Sequence, residues 1–166
     1  MLGSLEVAVT ALVVGTLPGI LSVYLGRTFE WVTLRLTDTL VALPFLLFAV
    51  AVIALLGNGL TQAMLVTGVL VSPLFYRVSR AATLAVARAP YVEAALISGA
   101  SLGWTVRKHV WGKVLPPIAV ALAQTVGTGF VIVSSLTFLG IGVQPPAPTW
   151  GGLLASDLGY LDQRPW

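Results

Sequence analysis

Four long stretches of this chain carry no charged side chain, and they restrict its fold more than any other feature. They cover residues 7–25, 39–56, 60–76 and 118–139. A helix that crosses a bilayer needs about 17–25 predominantly apolar residues, and each stretch has that length. The chain is 57% hydrophobic and 9% charged, whereas soluble domains are about 45–50% apolar. We therefore predict an all-α membrane protein, a polytopic helical bundle of about four spans in a single domain over residues 1–166.

The basic residues predict how these spans are oriented. Cytoplasmic loops of membrane proteins carry an excess of Lys and Arg. One side of the predicted bundle receives the loops 26–38 and 77–117, and the other receives both termini and the turn at 57–59. The first side holds Arg27, Arg35, Arg77, Arg80, Arg88, Arg107, Lys108 and Lys113, and the second holds only Arg164. Loop 77–117 is therefore expected in the cytoplasm and the tail 140–166 outside it.

Several functional classes lack the residues that they need. The chain has no cysteine and a single histidine, His109, so we expect neither disulfides nor a metal site. His109 is expected to be solvated or packed against a partner. Gly112-Lys113 is followed by Val114 instead of Ser or Thr, so the phosphate-binding loop of ATPases is absent. We predict that the chain is not an enzyme. Its basic residues are explained by membrane topology, and nucleic-acid binding is not expected.

The loop 77–117 contains a segment with clear helix start and stop features. Pro90 suits the first position of a helix, and Glu93 lies near the positive end of the helix dipole. Gly99 follows at a distance where a left-handed C-terminal cap is usually glycine. Ser101 then suits the N-cap of a second helix. The sequence predicts a helix, a sharp turn and a second helix.

Both helices of this helix-turn-helix need a packing partner. The first is apolar on nearly every side, and a free helix shorter than about 12 residues is marginal in water. The second is expected to end by Leu115, ahead of Pro116 and Pro117. Two interpretations remain open from the residues alone. The segment is either a hairpin buried within this protein or a docking element for another chain.

Two separated motifs point to one family. The first comprises Tyr-Val-Glu-Ala-Ala at 91–95, Gly-Ala-Ser at 99–101, Arg-Lys-His at 107–109 and Leu-Pro-Pro at 115–117. The second is SLTFLGIGVQPP at 135–146, followed by Pro148 and Trp150-Gly151. Over essentially the whole chain these motifs resemble membrane permease subunits of binding-protein-dependent ABC importers, in the dipeptide, oligopeptide and nickel permease branch. Leu102 and Gly112 stand where the family usually has Asp and Pro, which predicts a more flexible second helix.

The resemblance implies a role for the helix around Glu93. In this family the EAA signature marks a cytoplasmic coupling helix that sits in a cleft of a separate ATPase. The residues that the resemblance assigns to this coupling site are Tyr91, Glu93, Ala94, Ala95, Gly99, Ala100 and Ser101. ATP and Mg would be bound by the partner subunits, and this chain would hold no cofactor and no metal.

The resemblance also implies partners and a location. The expected partners are a second permease subunit, ABC ATPase subunits, an extracytoplasmic solute-binding protein and the lipid bilayer. The expected location is the plasma membrane of a prokaryote. Members of the family have a further span before the region matching residue 7 and another after the region matching residue 166. The chain is therefore expected to be truncated at both ends.

Polar residues within the fourth apolar stretch are candidates for a translocation path. The residues singled out are Gln124, Thr128 and Ser135, with Gln124 foremost because an amide in mid-span is costly unless it meets water or a partner. Hydroxyl side chains also serve as hydrogen-bonding groups between membrane helices. Packing and solute contact therefore both remain open for these residues.

Prolines interrupt the apolar stretches and shape the tail. Pro44 and Pro73 each predict a kink, because proline removes a helical hydrogen bond. In the tail, residues 153–161 are expected to form a short helix along the outer surface. That helix either lies near the docking site of a solute-binding protein or merely connects spans.

Two alternative functions share the apolar spans. A passive channel would need the spans but not a cytoplasmic helix-turn-helix with an EAA-like signature. The other alternative is a membrane scaffold that transports nothing. The leading prediction is a permease subunit of an ATP-driven importer of peptides or similar small solutes.

Overall fold

The computed structural model describes residues 2–57, 59–142 and 147–160. These residues form helices and turns, with no strand among them. The helices are α1 Leu2–Leu21, α2 Arg27–Ala42, α3 Phe45–Leu56, α4 Leu60–Ala87, α5 Pro90–Ile97, α6 Leu102–Thr105, a π-helical turn Val106–Val110, α7 Trp111–Phe138 and α8 Trp150–Asp157. The prediction of an all-α, polytopic membrane fold is confirmed.

Helices α1 and α4 form the closest pair in the bundle, and small residues bring them together. A Cβ atom added at Gly15 or Gly19 would overlap the backbone of α4, and one added at Gly68 would overlap the side chain of Thr10. Gly3 lies against Met64 and Gly19 against Ser79, so the two helices run parallel. Glycine allows this approach because it has no side chain between the backbones.

Helix α7 runs antiparallel to this pair and completes two apolar clusters. At one end of the bundle Val7 and Met64 are buried with Leu136, and at the other Phe75 and Ala11 are buried with Val114. The second cluster lies where α1 and α4 end and α7 begins. That end also carries most of the basic residues, and we refer to it as the basic end.

Most of the predicted loop 26–38 lies within the regular helix α2, which follows the N-cap residue Gly26 and extends to Ala42. The predicted span 39–56 is correspondingly split between α2 and α3, whose axes differ by 98°. Pro44 causes the break: Leu43 before it is extended, with φ −78° and ψ 137°, and α3 starts just after it. The steric demand of proline on the preceding residue disfavours the helical conformation there.

Pro73 lies inside α4 and does not break it. Proline leaves the carbonyl oxygen of Val69 without its helical donor. The Ser72 hydroxyl donates to that oxygen at 2.7 Å. This local replacement is a known way for membrane helices to retain proline. As a result α4 continues past the predicted span 60–76 into the predicted loop.

The prediction that the second helix of the loop ends by Leu115 is also wrong. Helix α7 passes through Pro116 and Pro117 and continues to Phe138. The two prolines free the carbonyl groups of Gly112 and Lys113, and both residues are exposed. Because these carbonyls are not trapped in an apolar interior, the helix tolerates the prolines.

The tail folds back onto the end opposite the basic end. Gly140, with φ +77°, closes α7, and Ile141 N–H donates to Leu136 O at 2.9 Å. Helix α8 then lies against α7, because Gly151 allows contact with the backbone of Ser134. The predicted helix at 153–161 therefore starts earlier, at Trp150, and a short 3-10 turn Leu158–Tyr160 follows it. The expected features at 143–146, Arg164 and Trp166 lie outside the described residues.

Among the described helices, three are long and apolar enough to cross a membrane: α1, α4 and the continuous helical run Gly103–Phe138. The bent pair of α2 and α3 makes a fourth if it is counted as one span. This agrees with the predicted number of about four spans.

Candidate functional site

The candidate coupling site begins with α5 between the two long helices α4 and α7. Ala89 is extended, with φ −75° and ψ 137°, and Pro90 occupies the first helical turn. Glu93 also lies in that turn. Proline lacks the N–H that would have no helical partner there, and the carboxylate favours the positive helix end. The predicted start of the helix is confirmed.

The turn after α5 is closed by backbone hydrogen bonds. Gly99 has φ +85°, a left-handed conformation. Its N–H donates to Leu96 O at 3.0 Å, and Ala100 N–H donates to Ala95 O at 3.0 Å. This pair of bonds defines a Schellman motif, in which the final carbonyls of a helix are satisfied by the residues that follow it. The predicted glycine cap is confirmed.

Ser101 starts the next helix. Its hydroxyl oxygen accepts a hydrogen bond from Trp104 N–H at 3.3 Å, and its carbonyl accepts one from Thr105 N–H at 3.0 Å. These are the bonds of an N-cap residue. Helix α6 continues through the π-helical turn into α7. The turn 98–101 therefore connects α5 directly to a helix that crosses the bundle.

Most of the α5 surface is exposed. Val92 is fully buried, and Ala95 is half-buried. Tyr91, Glu93, Ala94 and Leu96 are exposed, and Ile97 is 82% exposed. Within the described residues, α5 is therefore not part of a buried hairpin. An exposed helix this short and apolar needs a further surface to cover it.

Exposed basic side chains flank this exposed helix along the chain. Arg88 precedes it, and Arg107, Lys108 and Lys113 follow it, all exposed. The ion pairs seen among the described residues join Arg77 to Asp38 and Arg80 to Glu30, and none involves these four. The surface beside α5 therefore presents free positive charge together with the carboxylate of Glu93.

The pathway candidates lie on α7, away from α5. Gln124 and Thr128 are exposed, and Ser135 is half-buried. Thr128 Oγ1 donates to Gln124 O at 3.2 Å, and Ser135 Oγ donates to Val131 O at 2.9 Å. Both hydroxyls are thus satisfied by their own helix instead of linking two of the described helices. Their spacing of four and seven residues places all three on one helix face.

Ser135 also borders an apolar groove of about 790 Å³ between α7, α8 and α3. Phe130, Phe138, Trp150 and Leu154 line its walls. The groove contains few polar groups, so it does not extend the polar face of Gln124 and Thr128. Ser135 therefore lies in apolar surroundings, although it shares a helix face with Gln124 and Thr128.

The residues that hold α2 onto α4 were not predicted from the sequence. Arg80 forms an ion pair with Glu30, and Arg77 forms one with Asp38 at 3.2 Å. The Tyr76 and Thr33 hydroxyls lie 2.9 Å apart. The acidic residues Glu30 and Asp38 in the predicted loop 26–38 could have suggested ion pairs with the basic residues of α4. Likewise, the spacing Gly15-x-x-x-Gly19 is typical of close helix pairs and could have suggested the α1–α4 contact.

The family described as "Binding-protein-dependent transport system inner membrane component" matches residues 11–161 of this chain. The match covers α5, the turn after it and all the pathway candidates. It begins within α1 and ends just after the 3-10 turn.

Curated relatives show the same likeness along the chain. The dipeptide transport system permease protein DppC of Alkalihalophilus pseudofirmus is 32% identical over 156 residues, which are 94% of this chain and 51% of the relative. The probable D,D-dipeptide transport system permease protein DdpC of Escherichia coli is 31% identical over 166 residues, 100% and 56% of the two chains. The glutathione transport system permease protein GsiD of Pectobacterium atrosepticum is 33% identical over 144 residues, 86% and 48%. The chain spans about half the length of these relatives.

Proposed function

Because this chain belongs to the family of inner membrane components of binding-protein-dependent transport systems, we propose that it forms part of the translocation path of an ATP-driven importer. It is a multi-pass membrane protein of the plasma membrane. The observation that carries the proposal is α5, an exposed apolar helix at the basic end, joined to α4 and α7 by short connections. A helix in this position can pass a movement of a bound partner to two long helices.

The proposed partner at α5 is a separate ATPase subunit. The proposed contact residues are Tyr91, Glu93, Ala94, Ala95, Gly99, Ala100 and Ser101. The sequence contains no phosphate-binding loop, so ATP and Mg are proposed to bind to the partner subunits. On this proposal the chain couples to ATP hydrolysis without performing it.

A second permease subunit and a solute-binding protein complete the proposed assembly. Helix α7 supports the first of these, because Val120 is 69% exposed and Val131 is 67% exposed on the face that carries Gln124. A face of this kind requires lipid or another helix against it. Helix α8, at the end opposite the basic end, is the proposed side for the binding protein.

The proposed cargo is a peptide. The relatives are named for dipeptide, D,D-dipeptide and glutathione transport, which are all small peptidic solutes. Gln124, Thr128 and Ser135 remain the proposed contacts along the path. A passive channel or a membrane scaffold is the alternative, and neither requires the exposed helix α5.

Affinity purification of the complete transporter, through a tag on the protein that contains this chain, tests the proposal. We expect ATPase subunits, a second permease and a bound peptide, identified by mass spectrometry. Glu93→Arg reverses a charge on α5 and should lose the ATPase, whereas Asp157→Arg makes the same charge change on α8 and should retain it. A complex without any ATPase would contradict the proposal and favour the channel or scaffold.

A further inference from the structure

His109 lies between two aromatic rings that belong to different helices. The centroid of its ring is 5.6 Å from that of Tyr91 in α5, with the planes at 57°. It is 5.3 Å from that of Trp104 in α6, with the planes at 74°. Both distances fall within the range of about 4.5–7 Å in which aromatic rings attract one another in tilted or edge-to-face geometry. His109 therefore packs against aromatic rings of its own chain, whereas the sequence predicted a solvated side chain or one packed against a partner.

Few other side chains hold α5 in place. Val92 is the fully buried side chain of this helix, and the turn after α5 is open, since a Cβ atom at Gly99 would meet no atom within 4 Å. The backbone bonds of that turn fix its local shape but make no contact with α7. The Tyr91–His109 ring contact ties α5 sideways to the segment that leads into α7.

The other side of that segment is anchored in the bundle. His109 belongs to the π-helical turn Val106–Val110. Val110 and Val114, which follow it, are fully buried in the apolar cluster of Phe75 and Ala11. π-Helical turns inside longer helices are often found at functional sites. His109 thus connects the exposed helix α5 to a segment whose next residues, Val110 and Val114, are anchored in the bundle.

We propose that His109 is a positioning residue that sets the orientation of α5 relative to α7, through its ring contacts with Tyr91 and Trp104. The inference rests on the proposed function in one respect, namely that the orientation of α5 matters for coupling. The orientation itself is a property of this chain and is measured separately.

These 166 residues contain no native cysteine, so two spin labels can be placed specifically once any cysteines elsewhere in the complex are replaced. Ile97→Cys on α5 and Lys113→Cys on α7 are both at exposed positions. In the complete transporter complex, electron paramagnetic resonance then reports the distance distribution between them. We expect a narrow distribution with His109, a broadened one with His109→Ala and a narrow one with His109→Phe, which keeps a ring at this position.

Transport per ATP hydrolysed is measured for the same His109 variants without the labels, in proteoliposomes. We expect at least a fivefold loss for His109→Ala and a value within twofold of the parent for His109→Phe. A narrow label distribution in His109→Ala, or equal broadening in both variants, would overturn the inference. A broadened distribution with unchanged coupling would uphold the positioning role and contradict the proposed function of α5 instead.

Discussion

Gly99 shows how one residue determines the shape of the candidate coupling site. Its φ of +85° is needed for the two backbone bonds that close α5. A side chain would not collide with any neighbour, so the requirement for glycine comes from the backbone alone. A left-handed conformation costs other residues roughly 1–2 kcal/mol, and β-branched residues are the least tolerant.

We predict that Gly99→Val disrupts coupling while Gly103→Val does not. Both glycines have open space around the missing side chain, but only Gly99 has a positive φ. A cost of about 1–2 kcal/mol lowers the population of the native turn about 5–30-fold. The measurement is solute uptake per ATP hydrolysed by the reconstituted complex. Equal effects of the two substitutions would show that the left-handed turn is not needed.

At the scale of helices, polar contacts and small residues hold different helix pairs of the bundle together. Helices α1 and α4 touch through glycine, whereas α2 is held on α4 by two ion pairs and a hydroxyl contact. The Glu30–Arg80 pair is partly buried, with side chains 35% and 23% exposed. The Asp38–Arg77 pair is exposed, at 57% and 55%. The two pairs join the same helices and differ mainly in burial.

This difference predicts unequal stability effects. Glu30→Ala leaves the Arg80 guanidinium partly buried without its carboxylate, and a lost hydrogen bond to a charged group costs about 1.5–3 kcal/mol. Asp38→Ala removes an exposed pair, which contributes about 0.2–1 kcal/mol. In thermal unfolding of the detergent-purified protein, the unfolding midpoint of Glu30→Ala should therefore lie well below that of Asp38→Ala.

Equal unfolding midpoints for Glu30→Ala and Asp38→Ala would contradict burial as the cause of the unequal stability effects. High salt provides the control, because solvent-exposed pairs are screened more strongly than buried ones. In high salt, the difference in unfolding midpoint between Asp38→Ala and the parent protein should shrink further. The corresponding difference for Glu30→Ala should persist.

At the scale of the whole molecule, the helix directions bring the basic residues together. Helices α1 and α4 run parallel and α7 antiparallel, so the end of α4, helix α5 and the start of α7 share one end of the bundle. Helix α8 lies at the other end. From the excess of Lys and Arg in cytoplasmic loops, we predict that the basic end faces the cytoplasm.

Single cysteines test this orientation, since the chain has none of its own. Ser101 lies in the turn after α5 and Ser156 on α8, and both are exposed. In intact spheroplasts a membrane-impermeant thiol reagent should label Ser156→Cys only. Permeabilisation should make Ser101→Cys reactive as well. Labelling of Ser101→Cys in sealed cells would show the opposite orientation and would place α5 on the side away from the proposed ATPase.

The sequence alone determined the fold class and the local shape of the candidate coupling site. Uncharged stretches of span length require helices in a bilayer, because unpaired backbone groups are costly there. Pro90, Gly99 and Ser101 act through their own backbone and nearest neighbours, so their roles as helix start, left-handed cap and N-cap could be predicted from type and spacing. The resemblance to a family followed from the same short segments.

Only the tertiary structure decided which contacts hold these elements and where the helices break. Residues 26–38 are charged and look like a loop, but ion pairs with α4 stabilise them as helix α2. Pro44 bends the chain by 98°, whereas Pro73 and Pro116 do not break their helices. The difference lies in whether a nearby donor or an exposed position satisfies the freed carbonyl, and that depends on neighbours. The packing of His109 between Tyr91 and Trp104 likewise arises only when separate helices fold together.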